Sequence, residues 1–74
     1  MNIIGPAIRQ QREAQKLTQE QLVARCNLLG WDISRGTLAK IESKVRCITD
    51  IEVEKIAQAL KIEVNTLFNH NKDS

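Results

Sequence analysis

The sequence predicts an all-α domain of five helices, and three observations carry that expectation. Proline occurs once and glycine three times in 74 residues. No alternating apolar run is flanked by hairpin turn residues. A single helix-start signal recurs along the chain: an apolar residue, a capping position, and a second apolar residue four positions beyond the cap, the hydrophobic-staple pattern that orients a helix's first turn.

A first helix is expected over about 6–16, because Pro6 is tolerated in a first turn and no later breaker precedes Lys16. Leu17 and Leu22 around Thr18 open a second helix over about 19–29, with Gln21 at capping-box distance from Thr18. Ile33 and Leu38 around Ser34 open a third over about 35–43. Ile48 and Val53 around Thr49 open a fourth over about 50–60, and Glu52 completes a second capping box there. Ile62 and Leu67 flank the poorer cap Glu63 ahead of a short fifth helix over about 64–69. At 3.6-residue spacing the apolar faces are Ile4 and Ile8; Leu22, Val23, Cys26 and Leu29; Leu38, Ile41 and Val45; Val53, Ile56, Ala57 and Leu60; and Val64, Leu67 and Phe68. Together they build one small core, so residues 1–68 are expected to form the domain and residues 69–74 a polar, fraying C-terminal tail. No internal linker, repeat or low-complexity stretch interrupts the chain.

A domain of this size buries proportionally little surface, which argues against a large substrate cavity. Residues 1–48 carry eight Lys/Arg against four Asp/Glu, and residues 49–74 carry three against five, so the first two thirds are net +4 and the last third −2. That polarity points weakly to a polyanion at one face, since ordinary soluble domains are also unevenly charged. No apolar run approaches the length needed to cross a bilayer, and residues 1–10 lack a secretory apolar region, so a cytoplasmic address and no membrane partner are expected. Cys26 and Cys47 read as two reduced, partly buried small hydrophobes in preference to a disulfide. With His70 they have no ligand-like spacing, so no metal and no cofactor are expected. No nucleophile has a nearby base or orienting group, so no catalytic residue is assigned and the chain is not expected to be an enzyme.

The third helix is the most informative. Leu38 and Ile41 define its buried side, which puts Gly36, Ala39, Lys40 and Ser43 opposite and Arg35 at the amino-terminal edge. A small, smooth surface with one long basic residue in the middle and one at its start suits a helix lying against DNA, where Arg or Lys donates to guanine O6 and N7. Glycine within a helix costs about 1 kcal/mol relative to alanine, so Gly36 suggests a close backbone approach. The same face also reads as an ordinary solvated surface. Lys44 and Arg46 follow the helix, where they complement its carbonyl end or reach phosphates. Gln19, at the start of the second helix, is either a plain surface glutamine or a DNA ligand presented by that helix start.

LTQEQL at 17–22, ISRGTLAKIE at 33–42 and AQALKIEVNTLF at 57–68 resemble the Cro and lambda-type repressor helix-turn-helix family, the XRE-type regulators, in the family's order and over nearly the whole chain. The resemblance implies a five-helix lambda-repressor-like domain whose second and third helices form the helix-turn-helix, the third entering the major groove. It implies that Gln19 opens the second helix and contacts DNA, that Arg35, Gly36, Thr37 and Lys40 occupy base-reading or groove-facing positions, and that Lys44 and Arg46 lie in a backbone-contacting loop. It also implies a buried salt bridge between Arg12 and Glu42. Two departures stand out. The connection between the second and third helices, Cys26 to Asp32, is about five residues longer than the family's tight turn, read as an extra helical turn capped by a left-handed Gly30 and then a short connector. Early in the second helix, Val23 replaces a small residue. Trp31 lies in the longer connection and is expected to cover the core beside Leu28 and Leu29, or to face a partner.

The expected function is therefore sequence-specific double-stranded DNA binding by a small transcriptional regulator, a repressor of a prokaryotic or phage operon. The DNA-binding set is Gln19, Arg35, Gly36, Thr37, Lys40, Ser43, Lys44 and Arg46, with Arg9 as a further phosphate contact. A homodimer on a two-fold-related site is expected, with the terminal helix around Leu67 and Phe68 as its seam. The alternative is a protein-interaction module, such as an antitoxin-type partner protein, docking through Leu28–Trp31 and presenting an apolar patch there.

Overall fold

A computed structural model describes residues 4–68. The 69–74 tail and His70 lie outside the described residues. The chain forms α1 (Gly5–Ala14), α2 (Gln19–Leu28), α3 (Arg35–Glu42), α4 (Asp50–Leu60) and α5 (Val64–Phe68), with no strand among the described residues.

The helix starts follow from local side-chain chemistry. Thr18 Oγ1 accepts from the Gln21 amide at 3.1 Å, and Gln21 Oε1 accepts from the Thr18 amide at 2.8 Å. Thr49 and Glu52 repeat the exchange at 3.3 and 3.0 Å. Ser34 Oγ accepts from the Thr37 amide at 3.2 Å. Each bond satisfies a backbone group that a helix terminus leaves orphaned. α1 has no side-chain cap and opens on Pro6, whose missing N–H removes one orphan.

The helix ends share a device that composition conceals. Lys16, Gly30, Lys44 and Lys61 all have positive φ, at 59°, 89°, 68° and 59°. In each case the next residue donates back five positions: Leu17 to the Arg12 carbonyl at 3.0 Å, Trp31 to Cys26 at 3.0 Å, Val45 to Lys40 at 2.8 Å and Ile62 to Ala57 at 3.0 Å. These are Schellman caps, and three of the four use lysine where glycine is the usual residue. A left-handed non-glycine residue costs about 1–2 kcal/mol. A lysine in that place recovers part of the cost because its charge complements the carbonyl end of the helix dipole.

These turns also correct the expected helix lengths and faces. α1 stops at Ala14, not Lys16, and α2 at Leu28, so Leu29 falls beyond its helix and is exposed. Val45 continues the third helix's spacing on paper, but the left-handed Lys44 turns the chain first and leaves Val45 74% exposed. Phe68 is exposed as well.

The core unites Ile4, Ile8, Leu22, Cys26, Leu38, Ile41, Val53, Ile56, Leu60 and Leu67 with Ala7, Ile33 and Ala59, three positions outside the expected faces. Val23 and Trp31 pack against it partly buried. α3 rests on α1 and α2, while α4 touches α1, α2 and α5. Cys26 is buried, and Cys47, contrary to its expected partial burial, is exposed; neither is in a disulfide. The longer connection is held by Asn27, whose side-chain amide donates to the Trp31 carbonyl at 2.9 Å and to the Ile33 carbonyl at 3.2 Å. It is therefore a braced link delivering Ser34 to the start of α3.

Candidate nucleic-acid interface

The placement of α3 begins with a buried charge pair. Arg12 of α1 and Glu42, the last residue of α3, are 8% and 6% exposed. Arg12 Nε donates to Glu42 Oε2 at 2.8 Å, and Nη2 to Oε1 at 3.2 Å. Arg12 Nη1 also donates to the Leu17 carbonyl at 2.7 Å, and Gln19 Nε2 donates to Glu42 Oε1 at 3.1 Å. One carboxylate thus ties α1, the start of α2 and the end of α3 together. Hydrogen bonding to Glu42 raises the Arg12 pKa above its ordinary value, outweighing burial, so the guanidinium stays charged. No buried side-chain nitrogen or oxygen among the described residues lacks a partner, as a dry polar network requires.

Above this pair an open cleft of about 500 Å³ separates the start of α2 from α3, with Arg9, Gln19, Arg35, Ala39 and Ser43 on its walls. The cleft brings together Gln19, Arg35 and Ser43 from the expected set. Gly36 and Lys40 lie exposed on the same helix. An added Cβ at Gly36 would meet nothing nearer than Ser34 Oγ at 4.0 Å, so the fold itself does not require glycine there. Lys40 and Arg35 have no acidic partner among the described residues. Thr37 is half-buried, and its hydroxyl accepts from Ser34 Oγ at 3.0 Å, which draws it into the cap. Ser43 Oγ donates to the Lys40 carbonyl at 3.3 Å.

The turn after α3 divides its two cations. Lys44 is exposed in the left-handed position. Arg46 instead makes a two-pronged bond to Glu52, Nη1 to Oε1 at 3.2 Å and Nη2 to Oε2 at 3.0 Å. That contact raises the Arg46 pKa and holds the Glu52 carboxyl below its ordinary value. The Arg46 to Glu52 link was not read from the sequence, although the capping box already directs Glu52 back toward the 46–49 turn. Arg9 likewise meets Glu13 one turn away at 3.3 Å, an exposed pair of little energetic weight.

A helix of eight residues with an exposed outer face, seated on α1 by a buried pair and tied by Gln19 to the start of the preceding helix, fits the arrangement of a helix-turn-helix. A family model described as helix-turn-helix matches residues 8–67. The chain belongs to this family, the XRE-type helix-turn-helix proteins. No curated protein and no solved structure matches the chain. Membership makes it a DNA-binding regulator in the general sense, built on a domain whose work is binding and not catalysis. In this helix-turn-helix α2 and α3 are the paired helices, and the braced Leu29–Ser34 segment is the connection between them. No helix among the described residues is long and apolar enough to cross a membrane.

Proposed function

We propose that the chain is a sequence-specific transcriptional repressor of a prokaryotic or phage operon, acting in the cytoplasm by occupying double-stranded DNA with α3, about residues 35–43, in the major groove. The observation that carries this reading is the outer face of α3, where Arg35 and Lys40 are exposed cations without acidic partners among the described residues, on either side of a glycine that the fold does not need. Arg35 and Lys40 read base edges, while Gly36 lets the backbone approach closely and Ser43 sits at the cleft wall. Thr37, whose hydroxyl accepts from Ser34 Oγ, keeps its own O–H to donate to a base edge or phosphate. Gln19 and Lys44 set register on the phosphates, and Arg46 acts chiefly by bracing the turn through Glu52. Arg12 and Glu42 position α3 without touching DNA. Two copies occupy a two-fold-related site, because one module of this size covers little DNA. Leu67, 1% exposed, is spent inside its own core, which leaves Phe68 as the terminal helix's contribution to any seam.

Selection of bound duplexes from a random library tests this. Enrichment of a palindromic motif that relaxes at particular positions with Lys40→Ala is the expected result. No enrichment, with weak binding that vanishes as salt rises, would reduce the contact to nonspecific polyanion binding and contradict the reading.

A protein contact at the 28–31 region is favoured by one observation: Leu28 and Leu29 are exposed side by side. Trp31 beside them packs partly buried against the core.

A further inference from the structure

Two apolar surfaces of this chain lie outside the DNA-facing cleft, and their rims carry opposite charge. At the carboxyl ends of α2 and α4, Leu28 stands 88% exposed beside Leu29 and Ala59, bordered by Arg25 and Lys61. Arg25 is held in place there by donating to the Ala59 carbonyl at 3.1 Å. Near the amino end of α4, Val53, Val64 and the exposed Phe68 line a groove bordered by Asp50 and Glu54. The first surface is a leucine ridge with a basic rim; the second is an apolar trough with an acidic rim. α4 carries part of both, at ends about 16 Å apart from its 1.5 Å rise per residue.

We infer that the Leu28–Leu29 ridge of one copy seats in the Val53–Val64–Phe68 groove of a second copy, with Arg25 and Lys61 facing Asp50 and Glu54. The occupant is a second copy because each surface supplies what the other lacks in charge and shares its apolar character. Unlike surfaces of one chain form an open chain of copies unless rotation closes the contact, and a two-fold arrangement that makes the contact twice would close it. Doubling matters for a domain this small, since one ridge alone buries less than a stable interface needs. The inference rests on the two-copy part of the proposed function, to which it gives a specific surface.

The test is sedimentation of the full chain without DNA, from micromolar to millimolar concentration and at low and high salt. The parent is expected to self-associate reversibly, and less so as salt screens the facing rims. Leu28→Asp sets an acid against an acidic rim, and Phe68→Lys sets a cation against a basic one. Each is expected to weaken association by about tenfold or more, and an equimolar mixture of the two to restore it, because the altered surfaces then attract. Thermal melting shows whether each variant is folded; Glu54→Lys, at an exposed rim position, replaces Phe68→Lys if that variant is not. A parent that stays monomeric throughout, variants that associate like the parent, or a mixture that stays dissociated would each overturn the proposal. Since no DNA is present, such a failure leaves the α3 reading standing, whereas a failed duplex selection with intact association would sink that reading alone.

Discussion

Replacing Gly36 with alanine separates the needs of the fold from those of the interface. Gly36 is the second residue of α3, and the new methyl would find only Ser34 Oγ, at 4.0 Å. No steric penalty therefore opposes the usual gain from restricting the unfolded chain, about 0.4–1 kcal/mol. In a domain of this size that gain corresponds to a melting temperature higher by roughly 2–8 °C, with the lower half expected in a first turn. With α3 in the groove as proposed, the same methyl would intrude where backbone and groove meet. Overpacking a close-fitted contact costs about 1–3 kcal/mol, which weakens binding roughly fivefold to a hundredfold. Thermal melting by circular dichroism and fluorescence anisotropy with a selected duplex read the two effects on one preparation. Stability and affinity should move in opposite directions. A destabilised variant would refute the packing argument, and a stabilised variant that binds DNA like the parent would remove Gly36 from the interface.

The other predictions concern what holds the site in place. Arg12→Met strands the buried Glu42 carboxylate and should lower stability by about 3–5 kcal/mol in urea unfolding, whereas Arg12→Met with Glu42→Met should recover most of the loss; equal losses would mean that the pair's charges are not what couples these sites. Because Arg46 holds the folded Glu52 pKa below its ordinary 4.5, the stabilisation is present above about pH 4.5 and lost as pH falls through the lower folded value. Glu52→Gln should accordingly be less stable at neutral pH and lose stability less steeply on acidification, and a parallel acid limb would contradict the pairing. Burial pushes the Cys26 thiol up to about 11, while Cys47 is exposed, so a thiol reagent at mildly alkaline pH should label one cysteine in the native protein and two in denaturant. Rapid native labelling of both would show that the α2 core is open.

Helix starts were legible because a cap is chemistry within a few residues: Thr18 with Gln21 and Thr49 with Glu52 need no tertiary partner to be recognised. Helix ends were less so. Gly30 announces a left-handed turn, but Lys16, Lys44 and Lys61 adopt the same conformation without a compositional sign, and periodicity carried to the cap of α2 and past Lys44 assigns Leu29 and Val45 to a core that the chain has already left. The third helix and its outer residues could be placed from spacing, since Leu38 and Ile41 fix its rotation. What those residues touch could not. Arg46 meets Glu52 and Thr37 meets Ser34 through a turn and a cap whose geometry spacing does not supply. Ala7 and Ala59 lie in the core yet were not legible as core positions, because alanine carries too little apolar weight to mark a face until larger neighbours close around it.

The central claim is that α3 reads the major groove, and methylation interference on a selected duplex tests it most directly. Methyl groups at guanine N7 occupy the major groove and those at adenine N3 the minor groove. The account predicts that guanine N7 methylation within each half-site blocks binding, and that Lys40→Ala becomes indifferent to methylation at one guanine per half-site. Interference confined to adenine N3, or an unchanged guanine pattern with the variant, would contradict it.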